Sequence, residues 1–271
     1  MEAGLNNHLR RISSELFIKY NGEERAKIDK SIDNIITKLE DYFDDEVDEL
    51  IVFGSYSRDT ILPRRFDANS DIDLLIQFNT KGYDKLQPES YRNQLRKFAQ
   101  ENYPYSIVTK DHPSVVLELN HIKFDLVPAI FDEGFFYDSI EIPDKNGGWM
   151  ETEPDKFNDT LTKANTTYNS IVKPVIRLVK YWNASHGYPY FSFELETAIA
   201  NMDFSNDNFE SGFFYAVRKL STYNLPSWAT QKVDVLKSDA KWVKEYLDRK
   251  DIFKAKKTLE RILPGFTESF Y

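Results

Sequence analysis

Apolar residues alternate with polar ones along this chain in two different rhythms, and the change of rhythm outlines its architecture. Residues 5–43 read as mostly helical: Leu16, Ile18, Ile28, Ile32, Ile35, Ile36, Leu39 and Phe43 recur at helical spacing in the second half. Asn21-Gly22 breaks or caps the first helix. The acidic run Asp41 to Glu49 reads as a solvated turn. Leu50-Ile51-Val52-Phe53 is a short buried strand running into a turn at Gly54-Ser55. Ile72, Leu74 and Ile76 alternate with Asp71, Asp73 and Leu75 in a second strand. A helix follows over 86–101, then strands at Tyr105–Thr109, Ser114–Leu119 and His121–Val127, the last bounded by Asn120 and Pro128. From about residue 154 the rhythm is helical, over 154–184, 190–203, 208–222, 230–248 and 250–262. Breakers stand at Gly187, Pro189, Pro226 and Pro264. Pro143 and Gly147-Gly148 mark the expected seam, dividing a lobe over 1–150, N-terminal helix included, from a helical lobe over 151–271. The expected fold class is α+β, a mixed sheet flanked by helices with a C-terminal helical lobe.

Composition narrows the possibilities. The 271 residues are 41% hydrophobic and 29% charged, an ordinary globular balance that excludes wholesale disorder. No apolar run approaches the roughly 18–20 residues of a membrane span. The first residues lack an apolar h-region, so no signal peptide is expected. The absence of cysteine excludes disulfides, thiolate metal sites and cysteine nucleophiles, and fits a cytoplasmic setting. A net charge of −9 speaks against a broad grip on nucleic acid. His8, His112, His121 and His186 form no zinc-type spacing, and no GxSxG elbow is present.

The chemistry resides in three pieces taken in order. Gly54-Ser55 follows a buried strand, Asp71-Ile72-Asp73 opens the next, and Asp125 lies among Ile122, Phe124, Leu126 and Val127 in a third. Strand side chains alternate with period two, so Asp71 and Asp73 leave the same face. A lone ionised carboxylate in Asp125's surroundings would cost several kcal/mol to bury. Three carboxylates converging on one face would repel one another. Divalent cations relieve both problems, and Mg²⁺ commonly bridges carboxylates to substrate phosphates. Two ions about 4 Å apart could activate an attacking hydroxyl and stabilise a leaving pyrophosphate. Gly54 would let backbone N–H groups approach a phosphate and Ser55 would add a hydroxyl, with Tyr56 to Thr60 forming a helical first turn behind them. Each piece alone is commonplace, as a plain turn, a strand start or a satisfied core aspartate. Their order and strand contexts make the combination specific.

These residues resemble the polymerase-β-type nucleotidyltransferases, whose pattern is GS, then DxD, then a third Asp on a neighbouring strand. A second stretch, Lys173 to Asn183 followed by Phe191-Ser192-Phe193-Glu194-Leu195-Glu196, is similar to the helical half of oligoadenylate synthetases and of the cGAS/DncV-like nucleotidyltransferases, the CD-NTases of bacterial anti-phage systems. The resemblance implies a polymerase-β-like core and a helical lobe closing a nucleotide cleft. Asp71, Asp73 and Asp125 would be the catalytic metal ligands, for two Mg²⁺ or Mn²⁺ ions. Gly54, Ser55, Lys180 and Ser192 would meet the triphosphate, with Phe191 or Tyr190 near the base. From this helix alone, Arg177 and Lys180 read more readily as a solvated basic face with snorkelling stems; the upstream carboxylates favour a phosphate role for Lys180 and leave Arg177 undecided. Arg64 and Arg65, in the loop Leu62 to Asn69, are expected to be exposed.

The function so implied is a Mg²⁺-dependent nucleotidyltransferase. It would use NTPs (ATP, GTP, UTP or CTP) to make a cyclic or linear oligonucleotide messenger, release pyrophosphate and feed a separate effector in CBASS-type anti-phage signalling. Neither a membrane nor nucleic-acid activation is expected. The alternatives are nucleotide transfer to tRNA, protein or a small molecule, and a catalytically silent nucleotide-binding module.

Overall fold

A computed structural model describes residues 2–80, 85–132 and 139–266. The chain divides into two compact units: Lys19–Arg64 with Asn69–Asn158, and Met1–Ile18 with Arg65–Ala68 and Asp159–Tyr271. The first eighteen residues thus group with the C-terminal helices rather than with the sheet.

The first unit carries a seven-stranded mixed sheet with the path β1-β2-β5-β4-β3. The strands are β1 (Val47–Phe53), β2 (Asp71–Phe78), β3 (Ile107–Lys110), β4 (Val115–Glu118), β5 (Lys123–Asp132), β6 (Ser139–Pro143) and β7 (Trp149–Thr152). Strands β2 and β5 run parallel at its centre, β1 pairs antiparallel with β2, and β6 and β7 extend from the far part of β5. Two helices, α2 (Glu23–Phe43) and α4 (Pro88–Asn102), cover one face. Phe78 of β2 meets Phe43 of α2 at 5.3 Å and Tyr91 of α4 at 4.6 Å between ring centroids. By the period of two, Ile72, Leu74, Ile76 and Phe78 therefore face the helices, while Asp71 and Asp73 leave the opposite face. Between β1 and β2 lies α3, a single turn over Gly54–Ser57.

Three readings of this half need correction. Strand β1 begins at Val47, inside the acidic run taken for a turn, because β1 is an edge strand whose outer residues Asp48 and Glu49 remain in solvent. Strand β5 passes through Pro128 instead of stopping before it. On the flank away from β2, β4 pairs only to Leu126 and β6 only from Ile130, so the missing proline N–H falls where that ladder is interrupted. The expected seam at Pro143 and Gly147-Gly148 is the turn of the β6–β7 hairpin. Gly147 takes φ +86° there, and Asp144 Oδ1 accepts from the N–H groups of Asn146 and Gly148.

The second unit packs α1 (Glu2–Glu15), α6 (Val172–Ser185), α7 (Ser192–Ala200), α8 (Phe209–Lys219), α9 (Ser227–Asp248) and α10 (Ile252–Ile262). The helix expected over 154–184 is two helices, α5 (Pro154–Thr167) and α6. Asn169 and Ser170 break it in left-handed conformations, and Asn165 Oδ1 caps the Lys173 N–H. Helix α6 is buried on every side, from Val175 through Asn183. The solvated-face reading of Arg177 and Lys180 therefore fails: they are 7% and 5% exposed. Arg177 donates to the Ser13 carbonyl and lies 4.8 Å from the Phe17 ring centroid, so it ties the N-terminal segment to α6. Among the described residues, no helix is long and apolar enough to cross a membrane.

Candidate active site

The parallel register of β2 and β5 brings the predicted carboxylates together. Asp73 stands directly opposite Asp125, and Asp71 opposite Lys123. Partners in register project to the same face, so Asp73 and Asp125 are neighbours on strands about 4.8 Å apart, with Asp71 two residues along on that face. Burial, then the charge of Asp71, push the Asp125 carboxyl up from its ordinary 3.8 to about 6. The Ser114 hydroxyl, at the start of β4, lies 3.1 Å from Asp125 Oδ2 and opposes that rise. Nothing in its local sequence marks Ser114; the β4–β5 pairing brings it to Asp125.

Gly54 borders the same carboxylates. Its φ is +75°, a region side-chain-bearing residues rarely adopt, and a Cβ added there would fall 1.7 Å from Asp73 Oδ2. Glycine is thus required twice over, by conformation and by the close approach of Asp73. Ser55 follows in the α3 turn, its carbonyl accepting from the N–H groups of Thr60 and Ile61. The helical turn begins at Gly54 itself rather than at Tyr56.

All three acidic side chains offer oxygen donors, the chemistry of a hard cation. Among the described residues, no three His, Cys, Asp or Glu side chains already stand as a complete metal-holding set. A cation of the Mg²⁺ type does not need one, since it keeps several waters and binds through one or two carboxylates plus substrate phosphates. The acidic face fits that mode: its residues share one side of the sheet, and Asp125 bears the repulsion a cation would remove.

The remaining predicted residues belong to the helical unit. Lys180 Nζ donates to Glu196 Oε1 at 2.7 Å, and Glu196 is 1% exposed. No local pattern in the sequence shows that Glu196 meets Lys180. Ser192 is the exposed first residue of α7, one turn before Glu196 on the same helix face. Phe191 is exposed, whereas Tyr190 is half-buried, its hydroxyl donating to the Ser221 carbonyl. In the loop expected to be exposed, Leu62 and Pro63 are buried and Arg64 pairs with Glu118 at 3.0 Å, while Arg65 is exposed.

Residues 4–165 match the family model of the Second Messenger Oligonucleotide or Dinucleotide Synthetase domain. The chain belongs to this synthetase family. A probable cyclic nucleotide synthase of Bacillus cereus strain VD146 is 28% identical over 215 residues, which span 65% of this chain and 63% of that protein. The CBASS oligonucleotide cyclase CdnC of Escherichia coli strain KTE188 is 24% identical over 190 residues, or 65% of this chain and 58% of that one. The chain therefore matches less than two thirds of the length of either relative. The structure of the Bradyrhizobium diazoefficiens CD-NTase CdnG in complex with GTP superposes with a TM-score of 0.72 at 13% identity, covering 97% of this chain and 96% of that one. The α+β fold of this synthetase-family chain is thus the CD-NTase fold, as the resemblance implied.

Two expectations follow from the site geometry. The folded pKa of Asp125 lies above its unfolded value, so its carboxyl costs the fold nothing below about pH 4 and progressively more up to about pH 6. Asp125→Asn should therefore leave the metal-free melting temperature unchanged near pH 4 and raise it above pH 6, by roughly 2–4 °C per kcal/mol relieved. Melts of both proteins from pH 4 to 8 in EDTA test this; a uniform loss of stability would make Asp125 a structural residue. Lys180→Ala should cost about 3–5 kcal/mol, because it removes the cation that faces the buried Glu196 carboxylate. A Lys180→Met/Glu196→Leu double variant should recover most of that loss in denaturant titrations.

Proposed function

We propose that this chain is a divalent-metal-dependent nucleotidyltransferase that joins NTPs into a cyclic or linear oligonucleotide second messenger, releasing pyrophosphate. The observation that carries this reading is the β2–β5 register, with Asp73 beside Asp125, Asp71 on the same face and the Gly54 backbone against Asp73. Family membership supports the same chemistry, and GTP in the CdnG structure supports a nucleotide substrate. The CBASS cyclase relative supports a role in anti-phage signalling; a cytoplasmic location, where NTPs are available, and a separate effector receiving the product belong to the same proposal.

In this reading Asp71 and Asp73 would hold two Mg²⁺ or Mn²⁺ ions, and Asp125 would complete the ligand set for the ion that serves the acceptor hydroxyl. When bound, the cations supply charge neutralisation for the attacking and leaving oxygens of an in-line displacement at the α-phosphorus. The chain's own residues position the reactants. Gly54 and Ser55 present backbone N–H groups and a hydroxyl to the triphosphate. Lys180, paired with Glu196, and Ser192 at the N-terminus of α7 provide further phosphate donors. Phe191 is an exposed ring on which a base can stack.

Incubation with labelled NTPs and Mg²⁺ or Mn²⁺, followed by phosphatase, tests the assignment. A small phosphatase-resistant product is expected. Label held on a macromolecule would mean transfer, and absence of NTP consumption would oppose the reading. Asp71→Asn and Asp73→Asn should each lower turnover at least about 100-fold, a barrier increase of about 2.7 kcal/mol, with melting little changed. Retention of more than about a tenth of the rate in both would overturn the metal assignment.

A further inference from the structure

Helices α8 and α9 enclose a cavity of about 500 Å³ that none of the acidic triad lines. Its floor is apolar and aromatic: Phe214 and Val217 are buried, and Tyr215 is half-buried. Its walls carry charges of both signs. Lys241 pairs with Glu245 at 3.6 Å. Among the described residues, Arg218, Lys237 and Lys244 have no carboxylate partner, and Asp207 and Asp248 have no cationic one. Arg218 and Lys244 instead lie over the rings of Tyr215 and Phe214, at 5.6 and 5.8 Å.

The helix directions explain why these charges do not neutralise one another. Lys244 stands over Phe214, which puts those two residues at one level. If α8 and α9 were parallel, the link over 220–226 would have to run back about 33 Å to the start of α9. Its eight Cα steps reach at most about 29 Å. The helices are therefore antiparallel, and Arg218 and Lys237 share one end of the cavity. Asp207 and Asp248 share the other, roughly 16 Å along the axes. The cavity is bipolar: cations at one end, carboxylates at the other, aromatic rings between.

The ligand that satisfies all three parts bears a phosphate, a flat ring and N–H donors on the far edge of that ring. Arginine and lysine suit the phosphate, the rings suit stacking, and a carboxylate suits a base edge that presents amine donors. A mononucleotide matches the volume as well, since pockets for small ligands run about 300–1,000 Å³. We propose that the α8–α9 cavity binds a mononucleotide whose base carries an exocyclic amine, its phosphate on Arg218 and Lys237 and its base edge on Asp207 and Asp248.

Titration calorimetry of the full chain with GMP, AMP and UMP in EDTA tests this without metal or turnover. Its outcome is therefore separate from that of the synthase assay. GMP and AMP should bind saturably, and UMP, which lacks an exocyclic amine, at least tenfold more weakly. Arg218→Glu/Lys237→Glu should lower GMP affinity at least tenfold. Asp207→Asn/Asp248→Asn should weaken GMP and erase the preference over UMP. If the charge-reversed variant does not fold, Arg218→Gln/Lys237→Gln serves in its place. No saturable binding of GMP or AMP up to about 10 mM, unchanged affinity in the variants, or equal binding of UMP would each overturn the proposal.

Discussion

Electrostatic repulsion on one face of the sheet is the constraint on which the candidate site depends. The parallel pairing of β2 and β5 forces Asp73 beside Asp125, and the period of two adds Asp71. A fold aiming only at stability would avoid this arrangement, because burial and the neighbouring charge both disfavour the ionised Asp125. The surrounding residues accommodate it. Ile72, Leu74 and Phe78 on the opposite face bury against the helices and hold the strands in register. Ser114 gives Asp125 a hydroxyl partner, and Gly54 leaves room for the Asp73 carboxylate. The cost is of the kind expected at a reaction centre, where polar groups are preorganised for a ligand that arrives later.

In the helical unit the equivalent feature is the Lys180–Glu196 pair, which joins α7 to the helix α6 that is buried on all sides. Burial of either charge alone would be prohibitive, and together they are tolerated. Lys180 therefore brings α7 with it: any phosphate-binding role is shared with Glu196, to which the ammonium donates. Arg177 on the same helix has a different task, bonding to the last turn of α1 through Ser13 and lying over the ring of Phe17 just beyond it. Two basic residues three apart thus part company once the helix is packed.

Family membership and the α8–α9 cavity concern different parts of the molecule. The family match spans residues 4–165, which include the whole acidic sheet. The cavity lies beyond it, on helices the family model does not reach. A binding function there could vary among members while the carboxylate chemistry stays the same.

Most helices and strands were legible in the sequence, because hydrophobic periodicity and breakers are local signals. So was the acidic face, since the spacing of Asp71 and Asp73 and the apolar setting of Asp125 are properties of single strands. The failures came where a neighbour decides. Asp48 and Glu49 sit in a strand because β1 is an edge. Pro128 is passed because the ladder is bare beside it, and Gly147-Gly148 turns a hairpin because β6 and β7 pair. What the chain determined by itself was the kind of fold, the kinds of donor and their faces. Only the tertiary structure decided which residues became partners: Asp125 with Asp73 and Ser114, Lys180 with Glu196, Arg177 with Ser13. The physical reason is that pairing depends on register and packing between segments far apart in sequence, and no local pattern carries that information.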